Sequence, residues 1–272
     1  MPSATPMQAP PVVLCFAASD PTGGAGIAAD ILTVASLGAH PASVITGISA
    51  RDTRSVEAFW SLDPDWVNEQ ARVLLEDMAV SAFKIGLAGT PEIAAVIAEI
   101  VADYPDVPVI LDPMAASGAE DPLAEEELID AVCGLLIPLS TIVTPNRTEL
   151  LRLAEEEDED ESPTPAECAR RLLDLGAGHV LLTGAHEPTP QIINTLFGPE
   201  GVVRADAWER LPGSFHGAGC TLAAALATRL AFGQELSAAV REAQDFTWHA
   251  LREGFPVGMG QHLPDRLFGL RG

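Results

Sequence analysis

The chain has 272 residues, of which 47% are hydrophobic, and its 39 acidic residues against 15 lysines and arginines give a formal net charge of −24. Such a charge argues against nucleic acid and anionic membrane surfaces as partners, because both repel an acidic protein. The apolar runs fall short of the roughly 20 residues of a membrane span, and the sequence begins without the basic and apolar regions of a signal peptide, which predicts a cytoplasmic location.

Short apolar strands alternate with helical segments along most of the sequence. In chain order we expect a strand at residues 12–17, a helix at 25–37, a strand at 42–48, a helix at 65–78, a strand at 82–85, a helix at 91–101, a strand at 107–111, a helix at 123–136, a strand at 141–143, helices at 147–154 and 164–175, a strand at 179–182, an antiparallel pair at 191–196 and 202–208, and helices at 220–231 and 236–251. This alternation predicts an α/β fold with a mostly parallel sheet and helices on both faces. It favours one domain over residues 12–272, after a disordered, proline-rich leader at residues 1–11.

The cysteines and the single lysine exclude several kinds of site. Cys15, Cys133, Cys168 and Cys220 are scattered without a CxxC pair, which is typical of a reduced protein without structural zinc. Lys84 stands in the apolar stretch AFKI, so neither the GxxxxGK[ST] loop of P-loop proteins nor the lysine and HRD loop of protein kinases is present. Any ATP must therefore be bound by backbone donors at a helix N-terminus.

Residues that could take part in binding or catalysis follow the ends of the predicted strands. They are Ser19 and Asp20, Arg51 and Asp52, Gly86 and Leu87, Asp112, Asn146 and Glu149, and Thr183 and Gly184. Ligands of parallel sheets bind beyond the carboxyl ends of the strands. We therefore expect these residues to surround one site, and this clustering is stronger evidence than any single motif.

A glycine-rich turn opens directly into a helix in the stretch LPGSFHGAGCTLAAAL at residues 211–226. The first N–H groups of such a helix have no intrahelical partners and face outward at the positive end of the helix dipole, which makes an anion site. Gly217 and Gly219 let an anion approach the backbone closely. We expect Cys220 in the first turn, where the field favours its thiolate. The alternative is a buried cysteine that begins a core helix.

Two carboxylates at strand ends are candidates for holding a hydrated Mg²⁺ ion. Asn146 and Glu149 have the spacing of a capping box at a helix start. The Glu149 carboxylate also suits Mg²⁺ near phosphate groups, and the two roles are compatible. Asp112, at the end of another strand, is the second candidate for the metal shell.

Two further motifs suggest other activities. The GAGIAA stretch at residues 24–29 matches a dinucleotide fingerprint, but five or six residues separate it from the preceding strand and no acidic residue ends the next strand, which argues against a nicotinamide or flavin site. His216 and Cys220 could form a nucleophilic pair. A cysteine phosphatase would need arginine six residues after the cysteine, where this chain has Leu226.

The chain resembles the hydroxymethylpyrimidine/phosphomethylpyrimidine kinases of thiamine biosynthesis, in the ribokinase-like superfamily. The residues that carry the resemblance are the stretch SDPTGGAG at 19–26 with Asp30, SVIT at 43–46, KIG at 84–86, LDP at 111–113, TPN at 144–146 with Glu149, and HGAGCT at 216–221. The sugar kinases of the superfamily carry aspartate where this chain has Cys220. The resemblance implies a three-layer α/β/α fold, a homodimer, and Mg²⁺-dependent phosphorylation by ATP of a pyrimidine alcohol and then of its monophosphate.

The resemblance also implies roles for individual residues. The anion hole is implied to comprise Gly217, Ala218, Gly219 and Cys220. Cys220 is implied to be the base that takes the substrate hydroxyl proton. The nucleotide side is implied to comprise Asn146 and Glu149 on Mg–ATP, Thr183 and Gly184 near the phosphates or ribose, and His216. The pyrimidine pocket is implied to comprise Ala18, Asp20, Ala25, Arg51, Leu87 and Met114.

Five departures from the family pattern bear on the substrate. Arg51 stands where glutamine is common, Thr183 replaces a frequent lysine, Ala218 replaces threonine, Leu87 replaces methionine, and the region after residues 112–113 lacks the usual lysine. They leave open a pyridoxal-type kinase of the same fold, or a pyrimidine-binding homologue without turnover.

Overall fold

The computed structural model describes residues 9–113, 122–155, 163–184 and 190–270. Most of the expected disordered leader, most of the acidic tract that begins at Glu155, and Met114 lie outside these residues. Within the described residues, no helix is both long enough and apolar enough to cross a membrane.

Within the described ranges of the chain, nine strands form one sheet in the order β3-β2-β1-β4-β5-β6-β7-β8-β9. The strands are β1 (Val12–Ser19), β2 (His40–Arg51), β3 (Val56–Ser61), β4 (Val80–Ile85), β5 (Val109–Leu111), β6 (Ile142–Val143), β7 (Val180–Leu182), β8 (Gln191–Gly198) and β9 (Gly201–Glu209). The pairs from β2 through β7 are parallel, whereas β3, β8 and β9 pair antiparallel at the two edges. The predicted mostly parallel sheet is confirmed.

Among the residues that the structure describes, eight α-helices cover the two faces of the sheet. They are α1 (Gly26–Ser36), α2 (Pro64–Asp77), α3 (Pro91–Ala102), α4 (Pro122–Ala131), α5 (Arg147–Leu153), α6 (Pro165–Asp174), α7 (Ala218–Ala231) and α8 (Leu236–Arg252). Alternate side chains of β1 lie in the two cores on opposite faces of the sheet. Leu14 and Phe16 belong to the core with α2 to α6, and Cys15 and Ala17 belong to the core with α1, α7 and α8. The three-layer α/β/α expectation therefore holds.

Three elements differ from the sequence expectation. The antiparallel edge strand β3 was not expected, because the segment 56–61 lacks the continuous apolar run of a strand buried on both faces, and none of its residues is fully buried. The helix expected at 123–136 ends at Ala131 and continues as a π turn and a 3₁₀ turn through Leu139. Helix α7 begins at Ala218, two residues before the expected start, so Gly217 is its N-cap and residues 218–220 lie in its first turn.

Candidate active site

A cavity of about 340 Å³ lies beyond the carboxyl ends of the parallel strands. Ten of the predicted site residues line it, namely Ala25, Asp112, Asn146, Glu149, Thr183, His216, Gly217, Ala218, Gly219 and Cys220. Asp112, Asn146 and Thr183 follow the ends of β5, β6 and β7. The start of α7 also lines the cavity, and a Cβ atom at Gly219 would lie 3.6 Å from Asp112 Oδ1. The residues that follow these three strands therefore share one cavity. The strand-end residues that do not line it are Ser19, Asp20, Arg51, Asp52, Gly86, Leu87 and Gly184.

The turn at residues 217–220, which is expected to bind an anion and is called the anion-binding turn below, has an unusual backbone conformation at Gly217. This residue is the N-cap of α7 with φ of 87°, and its carbonyl accepts the first helical hydrogen bond from the Thr221 N–H at 3.0 Å. The N–H groups of Ala218, Gly219 and Cys220 precede that bond, so the helix offers them no acceptor of its own. They stand at the positive end of α7, on the wall of the cavity.

Gly217→Ala is expected to disrupt both folding and the anion-binding turn. A Cβ atom at this position would overlap the carbonyl oxygen of Gly24 and would meet the Arg266 guanidinium at 2.8 Å, in addition to the strain of a positive φ. We expect the free energy of unfolding to fall by more than the roughly 1–3 kcal/mol of a strained backbone alone, and turnover to be lost. Urea denaturation and a turnover assay measure the two effects.

Gly233→Ala is the matched control for this prediction. Gly233 also has a positive φ, 76°, but nothing lies within 4 Å of the position that its Cβ would take. This variant should therefore show the φ strain without the collision, and it should keep its activity. Equal destabilisation in the two variants would contradict the contact between Gly217 and Gly24.

The expectation that the start of helix α7 favours the thiolate of Cys220 is wrong in this structure. Burial raises the pKa of the Cys220 thiol to about 12, and Asp112 and Asp30 add to the increase. Lys84 and a hydrogen bond from the Gly26 N–H act in the opposite direction but do not compensate. The thiol is only 3% exposed, so the cost of placing an anion away from water exceeds the benefit of the helix end.

A buried ionic cluster, Lys84 with Asp30 and Asp112, lies beneath the cavity. The Lys84 Nζ is 3.1 Å from Asp30 Oδ2 and 3.5 Å from Asp112 Oδ2, and the Lys84 side chain is completely buried. Burial alone would lower the pKa of Lys84, but Asp30, Cys220 and Asp112 raise it above its ordinary value, so the lysine remains charged. In the sequence, Lys84 excludes a P-loop, and a single lysine in an apolar strand is in addition a signal of a buried ion pair.

Asp112 and Glu149 form the acidic side of the cavity. Burial and then the charge of Asp112 raise the pKa of Glu149 to about 7, despite hydrogen bonds from Asn146. The backbone N–H of Asn146 donates to Glu149 at 2.9 Å, and the Asn146 side chain accepts from the Glu149 N–H at 3.0 Å, which completes the predicted capping box. Two mutually repelling carboxylates on one wall suit a cation that binds between protein and phosphate.

The loop after β1 is organised by Asp20. Its carboxylate accepts hydrogen bonds from the Thr22 N–H at 2.8 Å and the Ala25 N–H at 3.0 Å, and it lies 2.6 Å from His216 Nε2. Burial raises the pKa of Asp20, but the bonds from His216 and Thr22 outweigh burial and hold the pKa well below its usual value. Asp20 therefore ties the loop to the residue that precedes the anion-binding turn.

Of the described residues implied for the pyrimidine pocket, Ala25 lines this cavity, whereas Asp20, Ala18, Arg51 and Leu87 do not. Arg51 Nε lies 3.9 Å from Asp20 Oδ1, Ala18 is buried at the end of β1, and the Leu87 carbonyl accepts a hydrogen bond from Thr46 at 2.6 Å. Met114 lies outside the described residues. Gly184, implied for the nucleotide side, is buried and donates its N–H to Asn194 at 3.0 Å.

An aromatic and amide wall, which sequence reasoning missed, closes the far end of the cavity. Trp208 and Trp248 stack with ring centroids 6.3 Å apart. Trp208 Nε1 donates to Gln244 Oε1 at 2.8 Å, and Asn194 donates to the same oxygen at 2.9 Å. The pairing of β8 with β9 and the packing of α8 create this wall, and no local motif marks it.

A comparison with protein-family models matches residues 20–265 to the phosphomethylpyrimidine kinase model. The chain belongs to the phosphomethylpyrimidine kinase family. Its relatives include proteins named hydroxymethylpyrimidine/phosphomethylpyrimidine kinase from Streptomyces coelicolor, 35% identical over 96% of each chain, and from Escherichia coli, 33% identical over 92% of this chain and 94% of that one. As a phosphomethylpyrimidine kinase family member, the chain is a phosphotransferase that uses ATP.

Solved structures of related kinases share the fold of this phosphomethylpyrimidine kinase family member. Bacillus subtilis pyridoxal kinase, in an ADP complex, superposes with a TM-score of 0.85 at 27% identity over 97% of this chain and all of that one. Staphylococcus aureus pyridoxal kinase with AMP-PCP gives 0.86 at 25% identity over 97% and 96%. Clostridium difficile phosphomethylpyrimidine kinase gives 0.72 at 29% identity over 89% and 99%.

Proposed function

We propose that this chain transfers the γ-phosphoryl group of ATP to 4-amino-5-hydroxymethyl-2-methylpyrimidine and then to the resulting monophosphate. The observation that carries the proposal is the anion-binding turn at residues 217–220, which opens into the cavity with the Cys220 thiol in the same helical turn. The full-length relatives named for this activity support the substrate.

The anion-binding turn performs most of the chemistry in this proposal. Phosphoryl transfer proceeds through a loose transition state, so it depends on positioning and charge stabilisation more than on covalent help. Backbone N–H groups fixed around the transferring group stabilise its charge without reorganisation. Cys220 takes the hydroxyl proton as a thiolate, a form that Lys84 and the Gly26 N–H favour, and that burial and Asp112 oppose.

The acidic side of the cavity, formed by Asp112 and Glu149, supports the inclusion of Mg²⁺ in the proposal. No group of three or more His, Cys, Asp or Glu side chains suited to a metal occurs in the described part of the chain, so the ion would share Asp112 and Glu149 with phosphate oxygens and water. Bound Mg²⁺ supplies charge that neutralises the phosphates in transfer. A cation beside Asp112 would also offset part of the negative charge that raises the pKa of Cys220.

The nucleotide is proposed to extend from the anion-binding turn toward Trp208 and Trp248. Asn146 and Glu149 serve the metal and phosphates, Thr183 lies near the phosphates or ribose, and the stacked indoles offer an aromatic surface for the base. Thr183 offers no positive charge, so more of the charge stabilisation falls to Mg²⁺ and the helix end.

The pyrimidine alcohol is proposed to bind on the Asp20 side of the anion-binding turn. Asp20, Ala18, Ala25, Arg51, Leu87 and Met114 remain the proposed pocket residues. The contact of Asp20 with His216 places this loop directly beside the residues that hold the phosphoryl group. The proposal also includes a cytoplasmic location and a homodimer. Light scattering of the purified protein tests the homodimer.

A pyridoxal-type kinase is the second candidate, because the pyridoxal kinase structures superpose with higher TM-scores than the C. difficile phosphomethylpyrimidine kinase. A coupled ADP-release assay over a panel of pyrimidine and pyridoxine alcohols separates the two. We expect the highest kcat/KM with the hydroxymethylpyrimidine and its monophosphate. Preference for pyridoxal would contradict the proposal, and tight pyrimidine binding without ADP release would indicate a binding protein.

A further inference from the structure

Arg266, near the end of the chain, is buried against both glycine-rich segments of the site. It is 3% exposed, and it follows directly after the stretch that the family model matches. Its Nη2 donates to the carbonyl oxygens of Gly24 and Gly217, the latter at 3.4 Å, and its Nη1 donates to Gly23 at 3.3 Å. One guanidinium thus bridges the Asp20 loop and the cap of α7.

A fourth hydrogen bond reaches into helix α7 itself. Arg266 Nε donates to Thr221 Oγ1 at 3.0 Å, and the same hydroxyl donates to the Gly217 carbonyl at 2.8 Å. All four acceptors are uncharged oxygens in fixed positions. A planar guanidinium can satisfy such a set, whereas an ammonium on a flexible stem cannot reach it with the same geometry.

The chain end is anchored beside the anion-binding turn by its own backbone. The His216 N–H donates to the His262 carbonyl, and the His262 N–H donates to the Ser214 carbonyl, each at 2.9 Å. The Asp265 N–H donates to the Ala250 carbonyl of α8 at 2.8 Å. These bonds fix the position from which Arg266 extends into the site.

The charge of Arg266 is not cancelled by a direct ion pair. Over the described ranges of the chain, no carboxylate oxygen forms a salt bridge with this guanidinium. Burial lowers its pKa, while Cys220, Asp30 and Asp20 act in the opposite direction. Arginine remains protonated in proteins, so a positive charge stands behind the N-terminus of α7.

We propose that Arg266 is a positioning residue that joins the Asp20 loop, which follows β1, to the anion-binding turn and places a positive charge behind the phosphoryl group. It does not line the cavity, so it acts through Gly24, Gly217 and Thr221 rather than by touching ATP. The inference rests on the proposed function, because it assigns to Arg266 the alignment of the two reactants of that reaction.

The test compares Arg266→Ala and Arg266→Lys with the wild-type protein. Misalignment of reacting groups by about 1 Å costs on the order of 10²-fold in rate, so we expect kcat of Arg266→Ala to fall by about that factor and kcat of Arg266→Lys by about tenfold. The dissociation constant of a non-hydrolysable ATP analogue, measured by calorimetry, should rise in Arg266→Ala and stay closer to wild type in Arg266→Lys. Added guanidinium ion should restore part of the activity of Arg266→Ala.

Arg171→Ala is the matched control, because Arg171 also donates to a backbone carbonyl, that of Ala154 at 2.8 Å, but lies on α6 away from the cavity. It should keep the wild-type kcat and show no response to guanidinium. A kcat for Arg266→Lys within about twofold of wild type would overturn the inference, since lysine cannot bridge the same acceptors. Failure of the wild-type protein to release ADP would instead overturn the proposed function.

Discussion

Cys220→Ala is expected to lower kcat by about 10²–10⁴-fold, the range that a positioned proton acceptor contributes. The affinity for ATP should change little, because the anion-binding turn offers backbone N–H groups that the substitution leaves in place. Steady-state kinetics with the pyrimidine alcohol, together with calorimetric titration of an ATP analogue, separate the two effects.

Two companion variants define what Cys220 contributes. Cys220→Ser keeps a hydrogen-bonding group of similar size but has a much less acidic proton, so it should resemble Cys220→Ala in kcat. Cys168→Ala removes another fully buried cysteine, in α6, which packs in the opposite layer of the fold, and it should retain the wild-type kcat. Wild-type turnover in Cys220→Ala would remove the base assignment.

Lys84→Met is expected to destabilise the protein by about 3–5 kcal/mol, because it leaves two buried carboxylates without their cation. Asp30 Oδ1 and Asp112 Oδ2 have no hydrogen-bond donor among the described residues, so the charge of Lys84 is their main compensation. Urea denaturation measures the loss. The turnover of the folded fraction should also fall, since Lys84 lowers the pKa of Cys220.

The double variant Lys84→Met with Asp30→Leu separates the charge effect from a general packing defect. Replacing a buried pair by apolar side chains is often nearly neutral, so the double variant should recover much of the lost free energy of unfolding. Arg72→Met, which removes the exposed pair with Asp103, serves as the surface control and should cost at most about 1 kcal/mol. A double variant no more stable than Lys84→Met would contradict the ion-pair account.

Much of the fold follows from local patterns in the sequence. The apolar run of β1 predicts a strand buried on both faces, and the structure places its alternate side chains in two separate cores. The polar residues that follow the predicted strands predict that Asp112, Asn146 and Thr183 lie close together, because parallel strands present their carboxyl ends at one edge of the sheet. Such inferences need only the neighbours of a residue in the sequence.

The remaining features depend on contacts between distant parts of the chain. The pKa of Cys220 is set by burial and by Asp112 and Asp30, none of which is visible from the helix start alone. The bridge that Arg266 makes to Gly24 spans 242 positions, and the stacked Trp208 and Trp248 come from a strand and a helix that meet only in the folded molecule. Local sequence patterns carry no information on these long-range contacts.

A crystal structure of the protein with Mg²⁺ and a non-hydrolysable ATP analogue tests the central claim most directly. We predict that the oxygens of the terminal phosphate lie about 3 Å from the backbone nitrogens of residues 218–220, with the Cys220 thiol beside the open face of that phosphate. A terminal phosphate bound elsewhere in the cavity, away from the start of α7, would contradict the account.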